Sequence, residues 1–401
     1  MEILVLDTIH GGAALAGSLA AAGHRVDTVD VYRGEQGIST EEALRRRYDL
    51  LVAPVHLDPS HPLLSTVQAP RITHHLAVRM LLSGKAPRPM VEVTGARGKT
   101  TTAHAIAHAL AGPGVLHTSR GTFRYPGKDL LWKKSITPAS VIPAAEEAGR
   151  GGAWLVAEES LGVTGAGYIA ILTSGEDYRI AAGKRSALGA KIESMRDTPV
   201  VVVPPRVRFD HPHILDAGEC ASWDGDRCTY DHDGIRGDFR NPLGTLPAYQ
   251  DALSLAVTAL CALGRDPAVL AGFKGVEGRL AVTKKAGVLI VDNANSGTSG
   301  GTTEAAVSYA RSISGGGWVT LVLGEEDRTV CEGFPPEEMA SSIRKIHPDR
   351  LILVGERGRT VQPGGFGKRI AYTDTLEAAC RLALRETPAG GAVVLSVKTW
   401  R

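Results

Sequence analysis

Short apolar segments alternate with longer amphipathic segments from the first residues of the chain. Residues 3–6, 26–31 and 50–55 are apolar enough to be buried strands, and residues 13–22 and 73–82 have the spacing of helices. Gly23 ends the first of these helices. Because strands that alternate with helices pair in parallel, this region predicts a small parallel sheet covered by helices.

The same alternation continues beyond a linker that contains two prolines, at residues 84–89. In the second region the predicted strands are 89–93, 154–157, 169–172 and 200–203, and the long helix is 248–263. In the third region the predicted strands are 288–291, 319–323, 351–354 and 392–397, and the helices are 303–312, 337–346 and 375–385. We therefore predict three α/β domains, at 1–88, 89–272 and 273–401, each with a mainly parallel sheet.

Composition agrees with several large aliphatic cores. The chain has 401 residues, more than one hydrophobic core supports, and 43% of them are apolar. A net charge of only +2 argues against general binding to nucleic acid or membranes. No apolar run approaches the ~20 residues that span a bilayer, and the amino terminus does not resemble a signal peptide. We expect a soluble, cytoplasmic protein.

The cysteines form no metal-binding or disulfide pattern. None of them belongs to a C-x-x-C pair, so we expect buried free thiols. The five are Cys220, Cys228, Cys261, Cys331 and Cys380.

The most specific motif is a glycine loop between the strand at 89–93 and a helical segment at 103–110. The loop residues are Thr94, Gly95, Ala96, Arg97, Gly98, Lys99, Thr100 and Thr101. Glycines let the backbone wrap an anion, and N–H groups at a helix start point at phosphates. Lys99 would add positive charge, and the Thr100 hydroxyl would hold Mg²⁺. Only two residues separate Gly95 from Gly98, fewer than in the common phosphate loop, so a simple glycine turn is the alternative.

Acidic residues follow two of the predicted strands in the same domain. Glu158 and Glu159 come after the strand at 154–157, and Glu176 and Asp177 follow the strand at 169–172. Ligands of open α/β sheets collect at the carboxyl ends of strands, so one of these carboxylates is a candidate Mg²⁺ ligand. An exposed acidic strand end is the alternative interpretation. Lys191, farther along, is either a surface charge or part of the site.

The order of these motifs resembles the Mur ligase superfamily over nearly the whole chain. The short glycine loop is similar to the superfamily's short form of the phosphate loop. The resemblance gives Glu158 the position of the Mg²⁺-binding glutamate. Asp177 ends the segment that carries an Asp-His pair in the superfamily, with Tyr178 in place of the histidine. Lys191 falls near a lysine that many members carbamylate to bind a second Mg²⁺.

The resemblance extends into the third domain. Arg279 ends a Gly-x-x-Gly-Arg turn that would place an arginine on the nucleotide. Asp292 and Asn295 belong to a segment similar to Asp-Tyr-Ala-His-Asn-Pro, in which Asn295 replaces the histidine. The resemblance thus implies a three-domain fold with a central ATPase domain, ATP and Mg²⁺ as cofactors, and these three residues near the nucleotide.

The superfamily chemistry implies that a substrate carboxylate attacks the γ-phosphate of ATP to form an acyl phosphate, which a second nucleophile then attacks. The first 80 residues resemble a Mur-like branch in methanogens that closes a carbocyclic ring on a nickel tetrapyrrole. That resemblance implies a small-molecule partner, and neither nucleic acid nor a membrane. An amide-forming ligase and an ATP-hydrolysing switch remain alternatives. Five histidines either line the tetrapyrrole or have structural roles: His10, His56, His61, His74 and His75.

Overall fold

The computed structural model describes residues 1–295, 297–326, 333–362, 364 and 369–399. The chain separates into two compact units, residues 1–273 and 274–401. The division of the first unit into domains at 1–88 and 89–272 stays a prediction. Cys331 lies outside the described residues, and the other four cysteines form no disulfide.

A four-stranded parallel sheet forms the first part of the first unit. In sheet order its strands are Arg25–Val29, Glu2–Leu6, Leu50–Ala53 and Arg71–Thr73. The helices are Gly12–Ala21, Thr40–Arg45, Pro62–Thr66 and His74–Leu82. The last helix begins where the Thr73 hydroxyl accepts a hydrogen bond from the N–H of Leu76, a standard helix cap.

An eight-stranded sheet forms the larger part of the first unit. In sheet order its strands are Ile214–Asp216, Val200–Val203, Ile169–Leu172, Met90–Thr94, Trp154–Glu158, Gly114–Thr118, Gly121–Tyr125 and Asp129–Trp132. The first six run parallel, and the last two continue the sheet as antiparallel strands. The α-helices of this part are Lys99–Ala109, Pro138–Arg150, Ala187–Met195, Ala217–Cys220 and Pro247–Ala262, and the 3₁₀ helices are Pro242–Thr245 and Pro267–Gly272.

The three central strands of this sheet are buried along their whole length. Helices cover both faces of such a sheet, so its strands are continuously apolar rather than alternating. One hydrophobic core joins the two sheets of the first unit, from Ile3 and Leu15 to Val141 and Leu155. This shared core explains why residues 1–273 form one compact unit.

Two small antiparallel sheets were not predicted. The first pairs Arg179–Ile180 with Arg185–Ser186. The second has three strands, Ala221–Asp224, Arg227–His232 and Ile235–Arg240, joined by two-residue turns at Gly225-Asp226 and Asp233-Gly234. Asp-Gly and Gly-Asp turns between short strands are strong hairpin signals, so this sheet could have been found from the sequence.

The second unit is built on a six-stranded sheet. In sheet order its strands are Ala281–Lys285, Val288–Asp292, Ala392–Lys398, Val319–Glu325, Arg350–Val354 and Ile370–Thr373. The first strand is antiparallel and the other five are parallel. The helices are Gly300–Ile313, Pro336–Ile346, Gly355–Thr360 and Leu376–Glu386. The second helix buries Met339, Ile343 and Ile346, the spacing of an amphipathic face.

The prediction of an α/β fold with mainly parallel sheets and flanking helices is confirmed. One difference matters for the site. The helix predicted at 103–110 begins at Lys99, directly after the glycine loop. Thr100, Thr101 and Thr102 are β-branched and have low helix propensity, which concealed the first turn. Across the described residues, no helix is both long enough and apolar enough to cross a membrane.

Candidate active site

The glycine loop links strand Met90–Thr94 to helix Lys99–Ala109, and both of its glycines have positive φ. Gly95 has φ +151°, and a Cβ at this position would lie 2.1 Å from the Thr173 hydroxyl oxygen. Gly98 has φ +82° and caps the helix. A side chain at either position would be strained, because L-residues rarely adopt such φ values.

Two polar residues that follow the neighbouring strand Ile169–Leu172 contact the backbone of the loop. The Ser174 hydroxyl oxygen accepts the N–H of Ala96 at 3.0 Å and that of Arg97 at 3.5 Å. The Thr173 hydroxyl donates to the Arg97 carbonyl oxygen and, at 3.1 Å, to that of Thr94. Lys99 folds back over the loop, and its Nζ donates to the Gly95 carbonyl oxygen at 3.0 Å. The structure therefore brings the predicted loop residues together around one concave backbone.

Glu158 lies directly beside this loop, with only 2% of its surface exposed. The Thr100 hydroxyl donates to its Oε1 at 3.1 Å and to its Oε2 at 2.9 Å. The N–H of Ser119 donates to Oε2 at 3.1 Å, and the Ser119 hydroxyl lies 3.3 Å from that of Thr100. A carboxylate and two hydroxyls are the oxygen donors that Mg²⁺ prefers, so the predicted pair Thr100 and Glu158 fits this ion.

Glu159 points into a different environment. It is fully buried, and its carboxyl group lies beside that of Glu92. Burial, together with repulsion from the nearby Glu92 carboxylate, raises the pKa of Glu159 well above its ordinary value. Glu92 is held by the N–H groups of Thr164, Gly165 and Gly167 at 2.8–3.2 Å. Consecutive residues therefore lie in different environments: Glu158 is hydrogen-bonded beside the loop, and Glu159 is a buried acid with a raised pKa.

Lys191 is 1% exposed on helix Ala187–Met195, and its Nζ has no hydrogen-bond partner in the described part of the chain. The ammonium lies 4.5 Å from the centre of the Tyr178 ring. Burial, with repulsion from Lys99 as a smaller cause, lowers the pKa of Lys191 to about 8. Asp177 is exposed and accepts the N–H of Leu188 at 2.8 Å, so it lies beside the start of the same helix.

The remaining predicted site residues belong to the second unit, and each is described within that unit. Arg279 is partly buried, and its N–H donates to the Val276 carbonyl at 2.9 Å. Asp292 ends a strand and accepts the N–H of Ala294 at 3.0 Å. The Asn295 amide donates to the carbonyl of Gly278, next to Arg279. The turn and the altered ligase segment are thus joined, while their contacts with a nucleotide stay a prediction.

Four of the five predicted histidines, His10, His56, His74 and His75, line one cavity of about 240 Å³. Ser160 and Leu161 form part of its wall, directly after Glu158 and Glu159. The Ser160 carbonyl lies 3.0 Å from Nε2 of His75. His61 does not line this cavity, and it instead caps helix Pro62–Thr66 by accepting the N–H of Leu63 at 3.3 Å. The first-unit histidines therefore divide between a pocket and a structural role.

Besides Thr173 and Ser174, three residues described above were not predicted. Ser119 follows strand Gly114–Thr118, which runs parallel to Trp154–Glu158, so a polar residue after that strand was the available signal. Glu92 is a charged residue within an apolar strand, which indicates a buried, hydrogen-bonded carboxylate. Asp7, which follows the first strand, is fully buried and contacts His10.

Comparisons with known solved structures identify the fold. MurF from Acinetobacter baumannii superposes with a TM-score of 0.59 and 14% identity, covering 88% of this chain and 82% of that one. The UDP-N-acetylmuramate-alanine ligase MurC from Thermotoga maritima has a TM-score of 0.56 and 14% identity, covering 100% and 96%. At these identities the likeness shows the fold, which is that of the Mur ligases, as the sequence predicted.

Sequence comparisons identify the family. Residues 282–399 match a family described as "Coenzyme F430 synthetase CfbE, C-terminal domain". The coenzyme F(430) synthetase of Methanocaldococcus jannaschii is 24% identical over 228 residues, covering 51% of this chain and 52% of that protein. The coenzyme F(430) synthetase of Methanosarcina acetivorans is 30% identical over 471 aligned residues, covering 100% of this chain and 99% of that protein. The chain therefore belongs to the coenzyme F(430) synthetase family, on a Mur ligase fold.

Proposed function

We propose that this protein is an ATP- and Mg²⁺-dependent ligase that activates a carboxylate of a nickel tetrapyrrole and closes a carbocyclic ring on it, releasing ADP and phosphate. The observation that carries the proposal is the contact of Thr100 and Ser119 with the Glu158 carboxylate, beside the glycine loop. Family membership supports the tetrapyrrole as the substrate class.

The loop would bind the triphosphate of ATP. The N–H groups of Ala96 and Arg97 could transfer their hydrogen bonds to a ligand, because their present acceptor is the neutral hydroxyl of Ser174. A phosphate oxygen carries more negative charge and would compete well for the same donors. Lys99 already lies over the loop and would move its ammonium from the Gly95 carbonyl to the phosphates.

Thr100 and Glu158 would hold Mg²⁺, with Ser119 beside them. When bound, Mg²⁺ neutralises negative charge on the β- and γ-phosphates. Glu158 is anchored by the Ser119 N–H, so its carboxylate is oriented before any ligand arrives. Such preorganisation lowers the cost of binding and of charge stabilisation.

In the proposed reaction, an oxygen of the substrate carboxylate attacks the γ-phosphorus, and ADP leaves. A carbon of the macrocycle then attacks the carbonyl carbon of the acyl phosphate. A C–C bond forms, inorganic phosphate leaves with the bonding electrons of the C–O bond, and the attacking carbon loses its proton. Water must stay out during these steps, since it would hydrolyse the acyl phosphate.

Lys191 supports a second element of the proposal. A pKa of about 8 leaves a substantial fraction of the amine neutral near pH 7.5, and only the neutral amine reacts with CO₂. We include carbamylation of Lys191 in the proposed function, because the resulting carboxylate would add an oxygen ligand near Lys99 for a second Mg²⁺. Arg279, Asp292 and Asn295 are proposed to contact the nucleotide.

The test is incubation of the full chain with ATP, Mg²⁺ and the open-ring nickel tetrapyrrole acid. We expect one ADP per product, a product lighter than the acid by one water, and a change in the macrocycle's absorption without added amine. ADP release that requires an amino acid would instead indicate an amide ligase. ATP hydrolysis at the same rate with and without the tetrapyrrole would indicate a nucleotide-dependent switch.

A further inference from the structure

A second constellation lies in the first unit, at the carboxyl end of strand Glu2–Leu6. Asp7 is fully buried and has φ +79°, a left-handed conformation that is unfavourable for most residues. Its Oδ1 accepts the N–H groups of Ile9 at 2.8 Å and His10 at 3.0 Å. These bonds fix the carboxylate and leave Oδ2 directed at two imidazole rings.

The two rings belong to His10 and His56. His10 Nδ1 lies 3.0 Å from Asp7 Oδ2, and His56 Nε2 lies 3.9 Å from the same oxygen. One ligand atom from each of the three residues lies within 4.8 Å of those from the other two. His56 Nε2 is buried and has no hydrogen-bond partner among the described residues. An unbonded imidazole nitrogen next to a fixed carboxylate is an open coordination position.

Aromatic packing holds the rings in this arrangement. The His10 ring packs edge-on against His56 with centroids 4.9 Å apart, and Tyr32 stacks on His56 at 5.8 Å. Both histidines also line the 240 Å³ cavity, so an ion bound between them would border that cavity.

We propose that Asp7, His10 and His56 bind a late first-row divalent metal ion such as Ni²⁺, Co²⁺ or Zn²⁺. Two imidazoles and one carboxylate are the donor set that these ions prefer, whereas Mg²⁺ prefers oxygen donors alone. Three protein ligands on one side leave coordination positions open for a carboxylate or water from the cavity.

The same donor chemistry could meet either a free ion or the nickel of a bound tetrapyrrole. A macrocycle occupies four positions around its metal and leaves one on each face, so it can accept one of the three side chains. Convergence of all three ligand atoms therefore favours the free ion. The proposed site does not depend on ATP chemistry, and it is tested without nucleotide.

The test is a CoCl₂ titration of the full, chelator-treated chain, followed by visible absorption and calorimetry. We expect one equivalent to bind with new d–d bands. In Asp7→Asn, the amide oxygen Oδ1 can still accept the Ile9 and His10 N–H groups, and asparagine tolerates the left-handed conformation. Loss of even an outer-shell partner costs about 10- to 100-fold in affinity, so Asp7→Asn and His56→Gln should each lose at least about tenfold.

The matched control is His213→Gln, which removes an exposed histidine of the same unit. It should bind Co²⁺ as the unmodified chain does. Circular dichroism of each variant without metal separates loss of ligation from loss of fold. Equal affinity and bands in all variants would mean adventitious surface binding and overturn the proposal. Absence of Co²⁺ binding would also overturn the proposal. If the absorption of the nickel tetrapyrrole then shifts on binding and the shift requires His56, the histidine is an axial ligand of the tetrapyrrole instead.

Discussion

The adjacent residues Glu158 and Glu159 are predicted to respond differently to neutralisation. Glu159→Gln should change the free energy of unfolding, whereas Glu158→Gln should weaken the response to Mg²⁺. Glu159 is fully buried and lies near the Glu92 carboxylate, so its pKa is raised in the folded state. Between the unfolded pKa, about 4.5, and the folded pKa, the folded protein holds one more proton than the unfolded chain. The free energy of unfolding therefore falls as pH rises through this window.

The magnitude follows from proton linkage. One extra bound proton changes the free energy of unfolding by ~1.4 kcal/mol for each pH unit. In Glu159→Gln, a neutral amide replaces the protonated acid and removes this dependence. Starting from pH 4.5, the variant should gain stability relative to the unmodified chain, and the difference can reach about 3 kcal/mol at most by pH 7.

The assay is peptide-resolved hydrogen exchange at pH 5, 6, 7 and 8, corrected for intrinsic exchange rates. Peptides from Met90–Thr94 and Trp154–Glu158 report on the strands that carry the two carboxyl groups. Glu146→Gln, at an exposed position, is the control and should leave the pH profile unchanged. Parallel profiles for Glu159→Gln and the unmodified chain would show that Glu159 does not titrate differently on folding, and would refute the reasoning.

Three further predictions concern the proposed chemistry. Lys99→Ala should lower ADP release about 100-fold or more, because the side chain supplies positive charge to the phosphates. The thermal unfolding temperature should stay within about 2 °C, since the side chain is not part of the hydrophobic core. Retained turnover would exclude the phosphate role. Glu158→Gln should raise the Mg²⁺ concentration for half-maximal ADP release about tenfold or more, whereas Glu159→Gln should not, and the reverse order would exchange their roles. Incubation with ¹³C-bicarbonate should give a carbamate signal by NMR that increases from pH 7 to pH 8, as more of the Lys191 amine becomes neutral, and that is absent in Lys191→Arg; an identical spectrum in the variant would rule out Lys191.

Regions with a regular hydrophobic pattern could be predicted from the sequence. The central strands are mostly apolar because both faces of the sheet are covered, and the strand at 154–157 was found within one residue of its end at Glu158. Glu158 could be placed near the loop because the carboxyl ends of parallel strands meet at one edge of the sheet. From the local pattern alone Glu159 could not be distinguished from Glu158, since both follow the same apolar segment, and only the family resemblance favoured Glu158.

Features that depend on side-chain contacts over long separations were not predictable in this way. The hydroxyl of Ser174 reaches the loop from 78 residues away, and the Ser119 N–H reaches Glu158 from 39 residues away. The first turn of helix Lys99–Ala109 was missed because tertiary position and the Gly98 cap override the low propensity of three threonines. The histidine cavity gathers residues from five separate segments, and no local pattern indicates that they meet.

The short segment from Glu158 to Leu161 connects the residues around Glu158 with the histidine cavity. Successive residues contribute the carboxylate that contacts Thr100, a buried acid with a raised pKa, a carbonyl that contacts His75, and part of the cavity wall. Inserting or deleting one residue here would displace at least one of these groups, because each is contributed by a single position of the segment. We therefore expect length variation among relatives to be excluded from this stretch. Changes in substrate should instead arise from the loops that follow strands Glu2–Leu6 and Leu50–Ala53, which carry His10 and His56 to the same cavity.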